Sequence, residues 1–190
     1  MNKLLDHIRS LTHFTDESWL LLQKALSKIE INKNDFLRKE SQLWDSLFFI
    51  EKGCCRSYYF HDGTEKNINF FFENDIVGHL SRSGSFEKST YNVVACEPLT
   101  AVEIDKHTLV EIAQKNIEIE RMGRAFIQAF STKQEEFSKI VRFYSAEERL
   151  TYIEKYHQEF VERIPLTQLA SFLGVTRETL SRIRKQRSRS

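Results

Sequence analysis

The sequence predicts an α+β protein: an N-terminal antiparallel β-roll of the jelly-roll type, a long dimerisation helix and a C-terminal helix-turn-helix. Short runs rich in Phe, Tyr, Ile and Val recur over residues 31–104, at the spacing of strands in a roll. A proline-free stretch with helical periodicity follows, and two short helical patterns then meet at Gly174. We place the roll domain at 1–114, the dimerisation helix at 115–144 and the helix-turn-helix at 145–190.

The N-terminal part is expected to begin with a helix over residues 16–29, capped by Thr15 or Asp16. Strands of the roll follow. The pair Asp62-Gly63 predicts a tight hairpin, because these residues readily adopt the positive φ that a two-residue turn requires. The expected strands span residues 47–51, 54–60, 67–72, 91–95 and 100–104, and a short helix is expected at 106–114.

A long helix is expected over residues 116–144, where apolar residues recur at intervals of three and four and Lys133 interrupts the series. Its length of roughly 40 Å, at 1.5 Å per residue, favours a helix that pairs with a second copy of the chain. An amphipathic helix packed on its own roll would carry the same stripe. The seam consists of Ile119, Met122, Phe126, Ala129, Phe137, Ile140 and Tyr144.

The C-terminal segment predicts a helical unit that begins with a helix over residues 145–160, opened by a capping box of Ser145 and Glu148. Further along, Gly174 permits the left-handed turn that ends a helix, and Thr176 is a good cap for the helix after it. A helix, a tight glycine turn and a second helix predict a helix-turn-helix. The first helix starts at Pro165 and has the apolar face Leu166, Leu169, Ala170 and Leu173.

The second helix of this motif has one polar face when it is wound at 100° per residue, with Leu180 and Ile183 on the opposite side. Arginine can bind guanine O6 and N7, and glutamate can accept from cytosine N4, so this face can read base edges in a DNA groove. A solvated amphipathic helix is the alternative. The polar face consists of Arg177, Glu178, Ser181, Arg182 and Lys185.

Contacts to DNA phosphates are expected around this face. Thr167 and Gln168, at the start of the first helix, can donate to phosphates, and Thr176 and Thr179 lie at the start of the second. Residues 163–190 hold seven basic side chains and one acidic side chain, whereas the whole chain has a net charge of +1. This asymmetry favours a polyanionic partner, although a solvated charged end would give the same count. Phosphate neutralisation is expected from Arg184, Lys185, Arg187 and Arg189.

The string Leu-Gly-Val-Thr-Arg-Glu-Thr-Leu-Ser-Arg at residues 173–182 resembles the DNA-recognition segment of the Crp/Fnr transcription regulators, whose pattern is close to Gly-x-Ser/Thr-Arg-Glu-Thr-x-x-Arg. The order of a roll, a long helix and a helix-turn-helix is similar along the whole chain. The resemblance implies a homodimer in which Arg177, Glu178 and Arg182 read bases.

The family's cyclic-nucleotide sensors bind their ligand through Gly-Glu-Leu followed by Arg-Ser or Arg-Thr, where Glu holds the ribose and Arg the cyclic phosphate. The similar stretches here are Gly78-His79-Leu80 and Lys88-Ser89-Thr90. His79 replaces the acid, and Lys88 is a point charge that cannot reproduce a bidentate guanidinium. We therefore expect an unidentified small effector at Gly78, His79, Leu80, Lys88, Ser89 and Thr90, and not a cyclic nucleotide.

Other chemistry is not expected. The family's iron-sulfur sensors use N-terminal cysteines, but no cysteine precedes Cys54 in this chain, so we expect no cluster and no other cofactor. His61 and His79 lack the His-x-His pair and following Glu of a cupin metal site. No nucleophile and base occur in a recognisable arrangement, and the chain is not expected to be an enzyme.

The composition is compatible with a protein of the cytoplasm. Hydrophobic residues make up 41% of the 190 residues and charged residues 29%, which excludes collagen-like and low-complexity classes. Three cysteines are too few for a disulfide framework, and no signal peptide or membrane span is expected.

The sequence thus predicts a homodimeric, sequence-specific transcription regulator that binds double-stranded DNA, pairs through residues 115–144 and has RNA polymerase as a further partner. Two alternatives are a ligand-binding roll whose helical tail contacts proteins, and a β-roll metalloenzyme.

Overall fold

An antiparallel β-roll followed by helices makes up the fold, in a computed structural model that describes residues 2–79 and 87–187. The predicted α+β class and the predicted roll are confirmed. The chain divides into two compact units, the first formed by Met1–Arg56 with Phe71–Ser131 and the second by Ser57–Phe70 with Thr132–Ser190. This division falls within the long helix and not at either of its ends, and the domain boundaries at 114 and 144 remain a prediction.

The helices α1 (Asn2–Leu11) and α2 (Asp16–Leu22) precede the roll, and a 3₁₀ turn (Gln23–Ala25) leads into its first strand. Thr15 caps α2 as predicted, because its hydroxyl accepts a hydrogen bond from the backbone N–H of Ser18 at 3.3 Å. The sequence pattern did not indicate α1.

The helix predicted over residues 16–29 is too long. The helix α2 ends at Leu22, while Leu26 and Ile29 lie on the first strand. That strand pairs with the last strand of the roll, where Leu26 lies opposite Ile104. Interstrand hydrogen bonds satisfy the backbone groups of this segment. The three-residue spacing that fitted a helix places Leu26 and Ile29 on opposite faces of the strand, where Leu26 packs against one hydrophobic cluster and Ile29 against the other.

The roll contains all five predicted strands. Besides the first strand, two more strands were not predicted, because segments of three and two residues are too short to show a period. The hairpin turn is confirmed, with φ of +49° at Asp62 and +71° at Gly63. The strands are β1 (Leu26–Ile31), β2 (Phe36–Arg38), β3 (Ser46–Lys52), β4 (Cys55–His61), β5 (Thr64–Phe71), β6 (Ile76–Val77), β7 (Asn92–Ala95) and β8 (Leu99–Asp105). In the described part of the chain they form two sheets, in the orders β1-β8-β3-β6 and β2-β7-β4-β5.

The first unit has two hydrophobic clusters. In one of them, Leu4 and Ile8 of α1 pack with side chains from α2 and from the sheet β1-β8-β3-β6. In the other, Phe48 and Phe71 from strands of the two sheets pack with Trp44, which lies on the loop before Ser46. Each such side chain contributes about 1.5 to 3 kcal/mol when it is withdrawn from water, so the space between the sheets is a well-filled core.

The helices after the roll end where local geometry requires it. The capping box of Ser145 and Glu148 is confirmed. The helix predicted over 145–160 stops at Tyr156, because His157 has φ −139° and ψ 58°, outside the helical region. Among the described residues no helix is both long enough and apolar enough to cross a bilayer. The helices are α3 (Lys106–Ala113), α4 (Ile117–Phe143), α5 (Ala146–Tyr156), α6 (Gln158–Arg163), α7 (Leu166–Phe172) and α8 (Arg177–Arg187).

Most of the predicted apolar seam of α4 packs within the chain, whereas Ala129 and Tyr144 are exposed. Ile119, Met122 and Phe126 are buried in the core of the first unit, as the alternative of a helix packed on its own roll predicts. Phe137 is buried in the second unit against Phe160. The exposed residues of α4 are mostly charged or polar, among them Arg121, Arg124, Gln128, Glu135, Lys139 and Arg142, but Val141 and Phe143 near its end are exposed as well.

Candidate nucleic-acid interface

Backbone hydrogen bonds around Gly174 close the turn between α7 and α8. Gly174 has φ +68°, its N–H donates to Ser171 O at 3.2 Å, and Val175 N–H donates to Ala170 O at 3.0 Å. This pair of hydrogen bonds around a left-handed glycine is a Schellman motif, which satisfies the last carbonyls of α7. Thr176 then caps α8 as predicted, since its hydroxyl accepts from Thr179 N–H at 3.1 Å. The turn therefore joins the two helices with the carbonyls at the end of α7 and an N–H at the start of α8 hydrogen-bonded.

The helix α8 packs through Leu180 and Ile183, both of which are buried. Its opposite face is exposed and bears three cationic side chains and one carboxylate. The five side chains that the sequence assigned to base reading lie together here and line a shallow depression of about 350 Å³: Arg177, Glu178, Ser181, Arg182 and Lys185. The arrangement gives a positively charged, shallow surface on a helix whose other face is buried, which suits a polyanion.

The four residues that are expected to contact phosphates at the helix starts differ in their exposure. Thr167 is exposed on the first turn of α7, and Thr176 is exposed just before α8. Gln168 is half-buried, and its side-chain Oε1 is buried with no partner among the described residues. Thr179 is half-buried, and its hydroxyl lies 3.0 Å from that of Thr176. Thr167 and Thr176 are thus more accessible than Gln168 and Thr179.

Arg187, which was expected to neutralise a phosphate, binds acceptors within the protein. Its guanidinium donates to Glu154 Oε2 at 2.8 Å and to Glu147 Oε1 at 3.3 Å, and it also donates to Glu147 O and to the Thr151 hydroxyl. These acceptors belong to α5, so Arg187 ties the end of α8 to that helix instead of facing solvent. Arg184 is half-buried, and its Nη2 atom has no partner among the described residues. Arg189 lies outside the described residues.

Contacts along the chain also hold α7 from the side of the hairpin. Asn67 of β5 donates its backbone N–H to Ser171 Oγ at 3.1 Å and its side-chain Nδ2 to Gln168 O at 3.3 Å. The Ser171 hydroxyl in turn donates to Glu65 O at 3.3 Å. Phe70 packs edge-on against Phe172. No sequence pattern could indicate these contacts, because residues about one hundred positions apart make them.

A second group that sequence reasoning missed is Arg149 on the first turns of α5. Its guanidinium donates to three backbone carbonyls, those of Tyr144, Val141 and Leu173. Nearby, Glu136 of α4 accepts from Tyr152 OH at 2.7 Å and lies 2.9 Å from His157 Nε2. Donation to this carboxylate raises the pKa of Tyr152 to about 12.

The candidate effector residues are only partly described. Gly78 has φ +151°, and a Cβ there would lie 2.5 Å from Leu47 Cδ2, so a glycine is required. His79 Nε2 lies 3.3 Å from Glu87 Oε2. Lys88 and Thr90 are exposed. Leu80 lies outside the described residues.

Ser89 differs from its neighbours because it is buried and fully engaged. Its hydroxyl donates to Tyr91 O at 2.5 Å, and its N–H donates to Gln42 O at 2.8 Å. The hydroxyl is thus already used by the protein's own backbone, and a ligand would have to compete for it.

Cys54 and Cys55 are buried and Cys96 is half-buried. Within residues 2–79 and 87–187, no group of three or more His, Cys, Asp or Glu side chains could hold a metal ion.

Comparison with known proteins agrees with this architecture. The family model of the cyclic nucleotide-binding domain matches residues 28–116. The fold is similar to that of FixK2 from Bradyrhizobium japonicum, with a TM-score of 0.74 and 18% identity over 85% of this chain and 83% of that one. It is also similar to the c-di-GMP responsive global regulator CLP from Xanthomonas campestris, with a TM-score of 0.69 and 13% identity over 92% of each chain.

A third similar structure is that of a protein from Eubacterium rectale assigned as a transcriptional regulator of the Crp/Fnr family, with a TM-score of 0.69 and 14% identity over 90% of this chain and 82% of that one. At these identities the likeness concerns the fold. No curated protein sequence matches the chain.

Proposed function

Since residues 28–116 match the cyclic nucleotide-binding domain and the chain has the fold of Crp/Fnr transcription regulators, we propose that it is a sequence-specific, DNA-binding transcription regulator. The exposed face of α8 is the observation that carries the proposal. It presents Arg177, Glu178 and Arg182 together on a helix whose start is capped and whose opposite face is buried.

In this proposal α8 enters the major groove of double-stranded DNA. Arg177 and Arg182 bind guanine O6 and N7, Glu178 accepts from cytosine N4, and each good bidentate pair contributes about 1 to 3 kcal/mol of discrimination. Ser181 and Lys185 flank these contacts. The exposed hydroxyls of Thr167 and Thr176 donate to phosphates, with weaker contributions from Gln168 and Thr179 because both are half-buried.

We also propose that the regulator acts as a homodimer. Two copies of α8 would enter successive major grooves about 34 Å apart on a near-palindromic site. Residues 115–144 would hold the copies together through the exposed face of α4, which carries charged side chains and the apolar Val141 and Phe143, since most of the apolar seam is used within the chain. Such a regulator would work in the cytoplasm, with RNA polymerase as a further partner, and we propose no enzymatic activity for it.

Control of DNA binding is assigned to a small effector at the roll, near Gly78, His79, Leu80, Lys88, Ser89 and Thr90. A cyclic nucleotide is not our choice. His79 faces the carboxylate of Glu87 and supplies no acid for a ribose, and Lys88 offers a point charge where a guanidinium would grip a cyclic phosphate. An effector would act by changing the population of molecules in which the two α8 helices match the groove spacing.

Titrations of fluorescent duplexes at several salt concentrations test the proposal. We expect Arg177→Ala to lose about 1 to 3 kcal/mol of discrimination, a factor of roughly 5 to 150, between a cognate duplex and one altered at a single base pair. Lys33→Ala is the control, because it removes one exposed positive charge far along the sequence from α8.

Equal affinity of the wild-type protein for cognate and random duplexes at every salt concentration would contradict the proposal. It would favour the alternative in which the helical tail contacts proteins. An Arg177→Ala variant as selective as Lys33→Ala would remove Arg177 from the reading face.

A further inference from the structure

One arginine connects the end of the long helix to the turn of the helix-turn-helix. Arg149 Nη2 donates to Val141 O at 2.6 Å and its Nε donates to Tyr144 O at 2.9 Å. Its Nη1 donates to Leu173 O at 2.7 Å. A single guanidinium therefore bridges the last turn of α4 and the last turn of α7, and all of these residues belong to the second unit.

The acceptors are groups that helix geometry leaves available. The last four carbonyls of an α-helix have no partner within it and carry partial negative charge. The carbonyl of Val141 would ordinarily be reached by Ser145 N–H, but that group donates to Glu148 Oε2 in the capping box. The capping box thus frees the carbonyl that Arg149 then binds, and a cation is the favourable partner at both helix ends.

The turn itself leaves room for this contact. A Cβ at position 174 would lie 3.4 Å from Arg149 Nη1, so the guanidinium lies directly against the glycine turn. Only two residues separate Phe143, the last of α4, from Ala146, the first of α5. Such a short junction acts as a hinge unless other contacts fix its angle.

Resting on the proposed function, we propose that Arg149 is a positioning residue that sets the angle between α4 and the helix-turn-helix, and so the orientation in which α8 meets DNA. Arginine suits the role because its planar fork carries five donors and can bind three carbonyls in different directions. Lysine keeps the charge but has one compact ammonium group.

The fold should tolerate loss of the bridge. Leu150 and Ile153 of α5 are fully buried, and Phe160 packs against Phe137 and Phe172. Glu136 also keeps its contacts with Tyr152 and His157. Arg149→Lys should therefore remain folded with a looser hinge, and Arg149→Gln, which keeps one amide donor group but loses the charge, is a second and more severe variant.

A distance measurement on the free protein tests the positioning without DNA. Spin labels are placed at the exposed Ser138 of α4 and Thr167 of α7, in a Cys96→Ser background because Cys54 and Cys55 are buried. We expect a narrow distance distribution that broadens in Arg149→Lys, while Lys155→Ala, an exposed position on the same helix, leaves it unchanged. A distribution of unchanged width in both Arg149 variants would overturn the proposal.

A binding series then connects the angle to DNA. Duplexes carry either one half-site or two half-sites whose separation differs from the optimum by up to about two base pairs. We expect Arg149→Lys to bind the single half-site within about twofold of the wild-type protein and to lose about tenfold at the optimal spacing, so that its preference for one spacing flattens. A spacing preference as sharp as that of the wild-type protein would overturn the proposal.

The two proposals fail in different ways. If the wild-type protein binds no DNA with sequence preference, the proposed function fails, while the spin-label distances still decide whether Arg149 fixes the hinge. If the wild-type protein binds DNA selectively and both Arg149 variants match it in distance and spacing, only the positioning role fails.

Discussion

At the scale of single residues, four arginines of the C-terminal region fall into two groups that their sequence positions do not reveal. Arg149 and Arg187 have their guanidinium groups bound to carbonyls and carboxylates of the protein. Arg177 and Arg182 are exposed on α8. Because a guanidinium already held by several acceptors must lose them to reach a phosphate, the first group maintains structure and the second is available for a partner.

A carboxylate in the first unit gives a pH-dependent prediction at the same scale. Glu118 accepts hydrogen bonds from the N–H and the hydroxyl of Thr15. The backbone donation from Thr15, followed by hydrogen bonding with Ser18 and Thr15 side chains, lowers the pKa of Glu118 from 4.5 to about 2.

Because this pKa is lowered by folding, the stabilisation is complete above pH 4.5 and is lost as the pH falls towards 2. Over that window the unfolded chain takes up a proton that the folded protein does not. We expect Glu118→Gln to lack this part of the acid sensitivity, measured as the free energy of unfolding in urea between pH 2 and pH 6. Parallel curves for the variant and the wild-type protein would contradict the assignment.

At the scale of elements, α8 is fixed at both ends, by the Thr176 cap at its start and by Arg187 at its finish. We expect Arg187→Gln to lower the free energy of unfolding by about 1 kcal/mol and to leave the salt dependence of DNA binding unchanged. Lys185→Gln, on the exposed face, should leave the free energy of unfolding unchanged and reduce the slope of log K against log salt by about 0.9 for each copy of the chain in the dimer. A reduced slope for Arg187→Gln would mean that its bonds to α5 open and that it contacts phosphate.

The elements also show what the sequence could predict. The hairpin at Asp62-Gly63, the capping box at Ser145 and the glycine turn at Gly174 were predictable, because each depends on residues within a few positions of one another. The strand β1 was mistaken for helix because its partner, β8, is some seventy residues away. The docking of Asn67 on α7 was not predictable for the same reason. The Arg149 bridge was not predictable because its acceptors are backbone carbonyls, which leave no mark on the pattern of residue types.

At the scale of the whole molecule, the distribution of charge fits the proposal that the C-terminal region binds DNA. Residues 163–190 carry a net charge of +6, so the rest of the chain carries −5. This distribution favours one orientation towards DNA, because phosphates attract the basic C-terminal residues and repel the acidic remainder of the chain. The two C-terminal regions of a dimer would bind a site with two-fold symmetry.

The most direct test of the account is a selection of bound duplexes from a random pool, carried out with the wild-type protein and with Arg182→Ala. We predict a near-palindromic consensus with half-sites about one helical turn apart, and relaxed preference at one symmetric pair of base positions in the variant. A wild-type pool without any consensus, or an identical consensus from both proteins, would contradict the claim that the exposed face of α8 reads DNA sequence.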